Sequence, residues 1–177
     1  MNEPEYERHV AQSLPPRPDS RRTIDVVRAH APAAFESLHE LLVAYEADLP
    51  AELRHGSVPE TEALAAEYAD TDAAFMALHG GEPIGCVAIK RLDEERAVIL
   101  RLFVTPQHRG VGAARRLMLA AIEFAKENRY RRIVLDTHKG QLPAAYALYR
   151  ALGFLDCRPY GSISYACPTF MELVLEA

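Results

Sequence analysis

The chain has 177 residues, 49% of them hydrophobic and 25% charged, with a formal net charge of −5. That length fits one domain that can bury its own core without metal or disulfide. No run approaches 18 apolar residues, so no membrane span is expected, and the acidic balance speaks against general nucleic-acid binding.

Residues 1–22 are rich in Pro, Arg, Ser and Glu. Three prolines within Pro15 to Pro18 forbid a helix there, so the stretch reads as a mobile tail or extended arm. Its acidic start lacks the apolar core of a signal peptide, which makes a cytoplasmic protein the default. The domain proper is read as residues 23–177. Thr23 to Arg28 alternates as a first strand. Phe35, Leu38, Leu41, Leu42 and Tyr45 recur at helical spacing between Pro32 and Pro50. Thr61 to Tyr68 is a second, shorter helix. Ala73 to Leu78, Ile84 to Leu92 and Ala97 to Val104 read as three antiparallel strands, the first two joined by a tight turn at Gly80-Gly81. Gly110 to Asn128 is a long amphipathic helix with Leu117, Ala121 and Phe124 on its buried stripe. Ile133 to Leu135 is a short strand and Leu142 to Leu152 a helix. A strand begins at Phe154, and Phe170 to Leu175 is the last. The order predicts a mixed α/β sheet with helices on both faces.

The chemistry concentrates between Arg101 and Arg116. An apolar strand runs into a basic loop with Gly110 and Gly112, and the loop runs directly into a helix. The first helical turn has N–H groups without partners and a positive dipole end, and glycines let an anion approach the backbone. Arg109, Arg115 and His108 add charge. The stretch is a candidate phosphate or diphosphate site. A dinucleotide-binding turn is the rival, but Arg115 stands where that fingerprint needs Gly or Ala.

Gln107-x-x-Gly110-x-Gly112 resembles the signature of the GNAT acetyltransferases. Arg101 to Pro106 before it, Arg132 to Thr137 after it, and the block Ala145-Tyr146-Ala147-Leu148-Tyr149-Arg150-Ala151-Leu152-Gly153-Phe154 are also similar to that family. The resemblance points to bacterial single-domain members. It implies the acyl-CoA N-acyltransferase fold and transfer of the acetyl group of acetyl-CoA to a primary amine of a small molecule or peptide. It also implies a V-shaped cleft between strands 97–104 and 132–137. The pantetheine arm would pair with the backbone at Leu102, Phe103 and Val104. The diphosphate would rest among Gln107, His108, Arg109, Gly110, Val111, Gly112, Ala113, Ala114 and Arg115. Ala145 and Tyr149 would line the same site, with Tyr149 protonating the departing thiolate. A monomer or homodimer is expected, with neither nucleic acid nor membrane as partner.

Other readings stay open beside these. Tyr149 is either that acid or a core aromatic. Ala97 to Arg101 holds no acid where related sequences often carry a glutamate base. The base is then Glu46, Glu67, Asp136 or a water chain, or the protein is a catalytically weak acyl-CoA-binding module. Asp136 also reads as a structural acceptor. Arg129, Arg131 and Arg132 are either a solvated helix end or a contact for the 3′-phosphate of CoA. Glu46, Asp48, Glu52, Glu60, Glu62 and Glu67 would suit a cationic amine. Seven histidines lack ligand spacing, so no metal is expected. Cys86, Cys157 and Cys167 read as free thiols of a reducing compartment.

Overall fold

A computed structural model describes residues 23–175, and the tail reading for residues 1–22 lies outside the described residues. The strands are β1 (Ile24–Arg28), β2 (Ala73–His79), β3 (Glu82–Arg91), β4 (Arg96–Val104), β5 (Arg132–Thr137), β6 (Leu155–Asp156) and β7 (Thr169–Val174). The helices are α1 (Pro32–Asp48), α2 (Thr61–Glu67), α3 (Ala113–Glu127) and α4 (Pro143–Ala151). They build one seven-stranded sheet in the order β1-β2-β3-β4-β5-β7-β6, in which β4 and β5 form the parallel pair.

Both faces of the sheet are apolar and both are covered. Leu117, Met118, Ala121 and Ala125 of α3 pack on Ile89, Ala97, Ile99, Ile133 and Leu135. Phe35, Leu38, Leu42 and Leu64 of α1 and α2 pack on Met76, Cys86, Ala88 and Phe103. Each large apolar side chain fully buried in this way contributes roughly 1.5–3 kcal/mol. Among the described residues, no helix is long and apolar enough to cross a membrane.

Two features of β4 open the sheet. Leu100 and Phe103 both face α1, although a regular strand puts positions three apart on opposite faces. A bulge permits it: pairing jumps from Ala88↔Leu100 to Cys86↔Phe103, and Arg101 adopts φ 58°. Gly85 is required opposite this bulge, because a Cβ there would lie 2.5 Å from the Phe103 carbonyl oxygen. On its other side β4 pairs with β5 only from Arg96↔Arg132 to Val98↔Val134. Beyond that point β5 continues against β7 alone and the two strands part.

Several boundaries differ from the sequence reading. Helix α3 begins at Ala113 rather than Gly110, because Gly110 (φ 83°) and Gly112 (φ 87°) are left-handed and cannot join a right-handed helix. Pro106–His108 and Ala51–Leu53 form 3-10 turns with no periodic signature. The strand after Phe154 stops after two residues, and residues 157–168 run as a loop across the face of β5 and β7.

Candidate functional site

The parting of β4 from β5 leaves an open strand edge that leads to the start of α3. Gly112 occupies the N-cap of α3, and no side chain caps that end. The first closure is the Arg116 N–H to the Gly112 carbonyl at 3.1 Å, so the amides of Ala113, Ala114 and Arg115 lack helical partners. A Cβ built on Gly110 or Gly112 meets nothing within 4 Å. These glycines are needed for their positive φ and leave the approach open. Unpaired amides, the helix dipole and an unobstructed backbone fit a diphosphate group. Gln107, Val111 and Arg115 are exposed at the rim, Ala114 is half-buried and Ala113 is buried.

Two basic side chains of the loop point elsewhere than the sequence suggested. The Arg109 Nε donates to the Val104 carbonyl at 3.1 Å, and its Nη2 is bound to the Asp48 carboxylate. Arg109 therefore ties the loop to the end of α1 through Nε and Nη2. His108 is engaged through Nδ1 with the Thr105 hydroxyl at 2.9 Å. The Arg129, Arg131 and Arg132 cluster lies at the far end of α3, about 22 Å along a 15-residue helix from the loop. Arg131 lies 3.8 Å from Glu95 and Arg132 is paired to Glu172 at 2.9 Å. That distance removes the cluster as a phosphate contact.

On the opposite wall, α4 presents half-buried Ala145 and buried Tyr149, whose ring packs 6.0 Å from that of Phe154. Burial first, and then the nearby Asp136 carboxylate, hold the Tyr149 phenol above the ordinary range, so it stays protonated. Asp136 accepts from the Tyr160 hydroxyl at 2.8 Å and the Tyr165 hydroxyl at 2.7 Å. It thus pins loop 157–168 to the end of β5, the structural role open to it in the sequence. Glu67 is bound to Lys90 at 3.0 Å. Cys86 is fully buried and its thiol is pushed up to about 12 by burial, which keeps it unreactive.

Glu46 is the acid that engages a second proton acceptor. Its carboxylate takes the His55 backbone N–H at 2.8 Å and the His55 Nδ1–H at 2.8 Å. The imidazole stacks on Tyr45 (ring centroids 6.0 Å apart), and Tyr45 leans on Phe103 of β4 at 5.9 Å. The sequence carried no signal for His55. It reaches Glu46 only because the 3-10 turn at Ala51–Leu53 folds the chain back along α1.

Residues 35–154 match the acetyltransferase (GNAT) family. The chain belongs to that family. It is similar to N-acetyltransferase 8B of Homo sapiens, with 41% identity over 63 residues, covering 36% of this chain and 27% of the relative. It is also similar to N-acetylaspartate synthetase of Danio rerio, with 35% identity over 102 residues, covering 52% of this chain and 36% of the relative. The chain thus spans about a third of the length of these curated relatives. The yncA protein of Salmonella typhimurium, solved with acetyl-CoA, shares the fold at TM-score 0.73 and 19% identity, covering 86% of this chain and 94% of that one. Within this GNAT frame, the open edge of β4 leads to the uncapped start of α3, and buried Tyr149 lies near the Asp136 end of β5.

Proposed function

We propose that this GNAT-family chain transfers the acetyl group of acetyl-CoA directly to a primary amine of a small molecule or peptide. The observation that carries the reading is the parting of β4 from β5 after Val98↔Val134, beside the uncapped first turn of α3. In this reading the β4 backbone at Leu102, Phe103 and Val104 pairs with the pantetheine arm. The amides near Gly110 to Ala114 take the diphosphate, with Gln107, Val111 and Arg115 at its edge. Tyr149 supplies a proton to the departing thiolate, which its protonated state permits.

An alkylammonium near pKa ~10 must lose a proton before it attacks. The base in this reading is His55, held by Glu46 through Nδ1 so that Nε2 is left to accept. Glu67 and Asp136 are less suited, because one is bound to Lys90 and the other holds two phenols. The Danio rerio relative is named for making N-acetylaspartate, an N-acetylated amino acid, which supports an amine acceptor.

The test begins with calorimetric titration of acetyl-CoA, followed by thiol-release assays on a panel of amines. Binding with turnover supports the reading. Binding without turnover of any amine supports instead an acyl-CoA-binding module, which the absence of acid from Ala97 to Arg101 favours. Absence of binding removes both.

A further inference from the structure

A second concavity lies on the face of β5 that turns away from α3. Positions 132, 134 and 136 of β5 share that face. At 136 it ends in the carboxylate held by Tyr160 and Tyr165. At 132 it ends in guanidiniums. Arg132 is joined by Arg96 from the paired start of β4 and by Arg158 from the loop after β6. With Val134, Tyr160 and Glu172 among the other lining residues, they line an open pocket of about 490 Å³.

The pocket has positive charge and donors in excess. Arg96 is bound to Asp93 at 2.7 Å, and Arg132 to Glu172 at 2.9 Å. Arg158 is exposed and forms no ion pair among the described residues. Two of the three guanidiniums carry a carboxylate partner, and Arg158 has none among the described residues. Arg96 uses Nε and Nη2 on Asp93, which leaves its Nη1 donors available. A planar carboxylate suits such forks.

Tyr160 joins this pocket to the cleft. Its ring lines the pocket, and its hydroxyl donates to Asp136 at 2.8 Å on the other side. Packing edge-on against Phe170 at 5.2 Å holds the ring in place. Along β5, Val134 lies about 7 Å and Arg132 about 13 Å from Asp136, the rise of two and four strand residues.

We propose that Arg96, Arg132 and Arg158 form an anion subsite for the carboxylate of the acceptor. The acceptor class is then short peptides of about two to four residues, whose N-terminal amine and C-terminal carboxylate span about 7–13 Å when extended. This deepens the proposed acetyl transfer and rests on it. The charge layout accounts for the pairing: the amine end meets the acidic, tyrosine-lined end of β5, and the carboxylate end meets the guanidiniums.

The experiment compares trialanine with its C-terminal amide as acceptors. In parallel, it titrates N-acetyl-trialanine and its amide into the protein without acetyl-CoA. The free acid should bind, and be turned over by kcat/KM, about ten-fold or more better than the amide. Arg158→Glu, on an exposed loop, should bring both ratios to about one while leaving the thermal unfolding midpoint unchanged. Equal binding of acid and amide by the wild type overturns the subsite, as does a preference that survives in Arg158→Glu. A binding preference abolished by Arg158→Glu, with neither peptide acetylated, upholds the subsite and removes the acetyl-transfer reading instead.

Discussion

Asp48, the last residue of α1, and Arg109, within the glycine loop, are joined by a carboxylate–guanidinium pair across 61 positions of sequence. The Arg109 Nε is held at the same time by the Val104 carbonyl at 3.1 Å. One side chain thus braces the end of β4, the loop and the end of α1. Both partners are partly exposed, at 52% and 38%, so solvent screens the pair. Asp48→Asn should lower stability by no more than about 1 kcal/mol. Arg109→Ala should cost more, because it also removes the bond to Val104. A double-mutant cycle by urea unfolding measures the coupling, and a value well above that bound would mean the pair is effectively shielded from water.

Gly112 combines a left-handed φ of 87° with open space around its missing Cβ. Gly112→Ala should therefore fold with a strain cost of about 1–2 kcal/mol and no clash. Gly112→Glu should in addition abolish acetyl-CoA binding in calorimetry, since a carboxylate would oppose the diphosphate. Unchanged affinity in Gly112→Glu would move the cofactor site away from this loop.

Gly85 poses the opposite problem. A Cβ there would sit 2.5 Å from the Phe103 carbonyl oxygen, and backbone cannot yield as a side-chain tip can. Gly85→Ala should destabilise by about 1–3 kcal/mol in urea unfolding. It should also reduce acetyl-CoA affinity, because the bulge at Arg101 shapes the edge that faces the cleft.

Tyr149→Phe should lower kcat by about 10²-fold or more with little change in the Kd for acetyl-CoA. Unchanged turnover would return Tyr149 to a packing role. The phenols of Tyr45, Tyr68 and Tyr149 are all raised, chiefly by burial. The neutral phenol is favoured in the fold, so the folded chain holds protons that the unfolded chain releases. Stability from this source is fully present below pH about 10, where free phenols titrate, and falls as pH rises beyond it. Urea midpoints at pH 8 and pH 10.5 check the sign, and equal midpoints would contradict it.

His55→Gln should reduce kcat by about 10²-fold with little change in the Kd for acetyl-CoA. Glu46→Gln should reduce kcat less, because the imidazole stays stacked on Tyr45 but loses its carboxylate partner. Unchanged turnover in His55→Gln would assign deprotonation to another group or to water.

The sequence by itself determined the element order, the Gly80-Gly81 hairpin, the glycine loop before α3 and the place of Tyr149 on its helix. All of these rest on interactions within a few residues: apolar periodicity, positive φ at glycine and the orphan amides of a helix start. It even marked Asp136 as a structural acceptor, although not Tyr160 and Tyr165 as its donors. The tertiary structure decided the rest. Arg109 had the composition of an anion ligand, yet α1 lays Asp48 against it. Arg129, Arg131 and Arg132 looked like one basic cluster, yet the length of α3 carries them away from the loop. Glu46 acquires His55 through the fold-back at Ala51–Leu53, and Arg96 acquires Arg132 and Arg158 through the parallel pairing of β4 with β5 and the loop after β6. Charge shows in a sequence, but its partners lie tens of positions away, and only the packed sheet sets which charges meet.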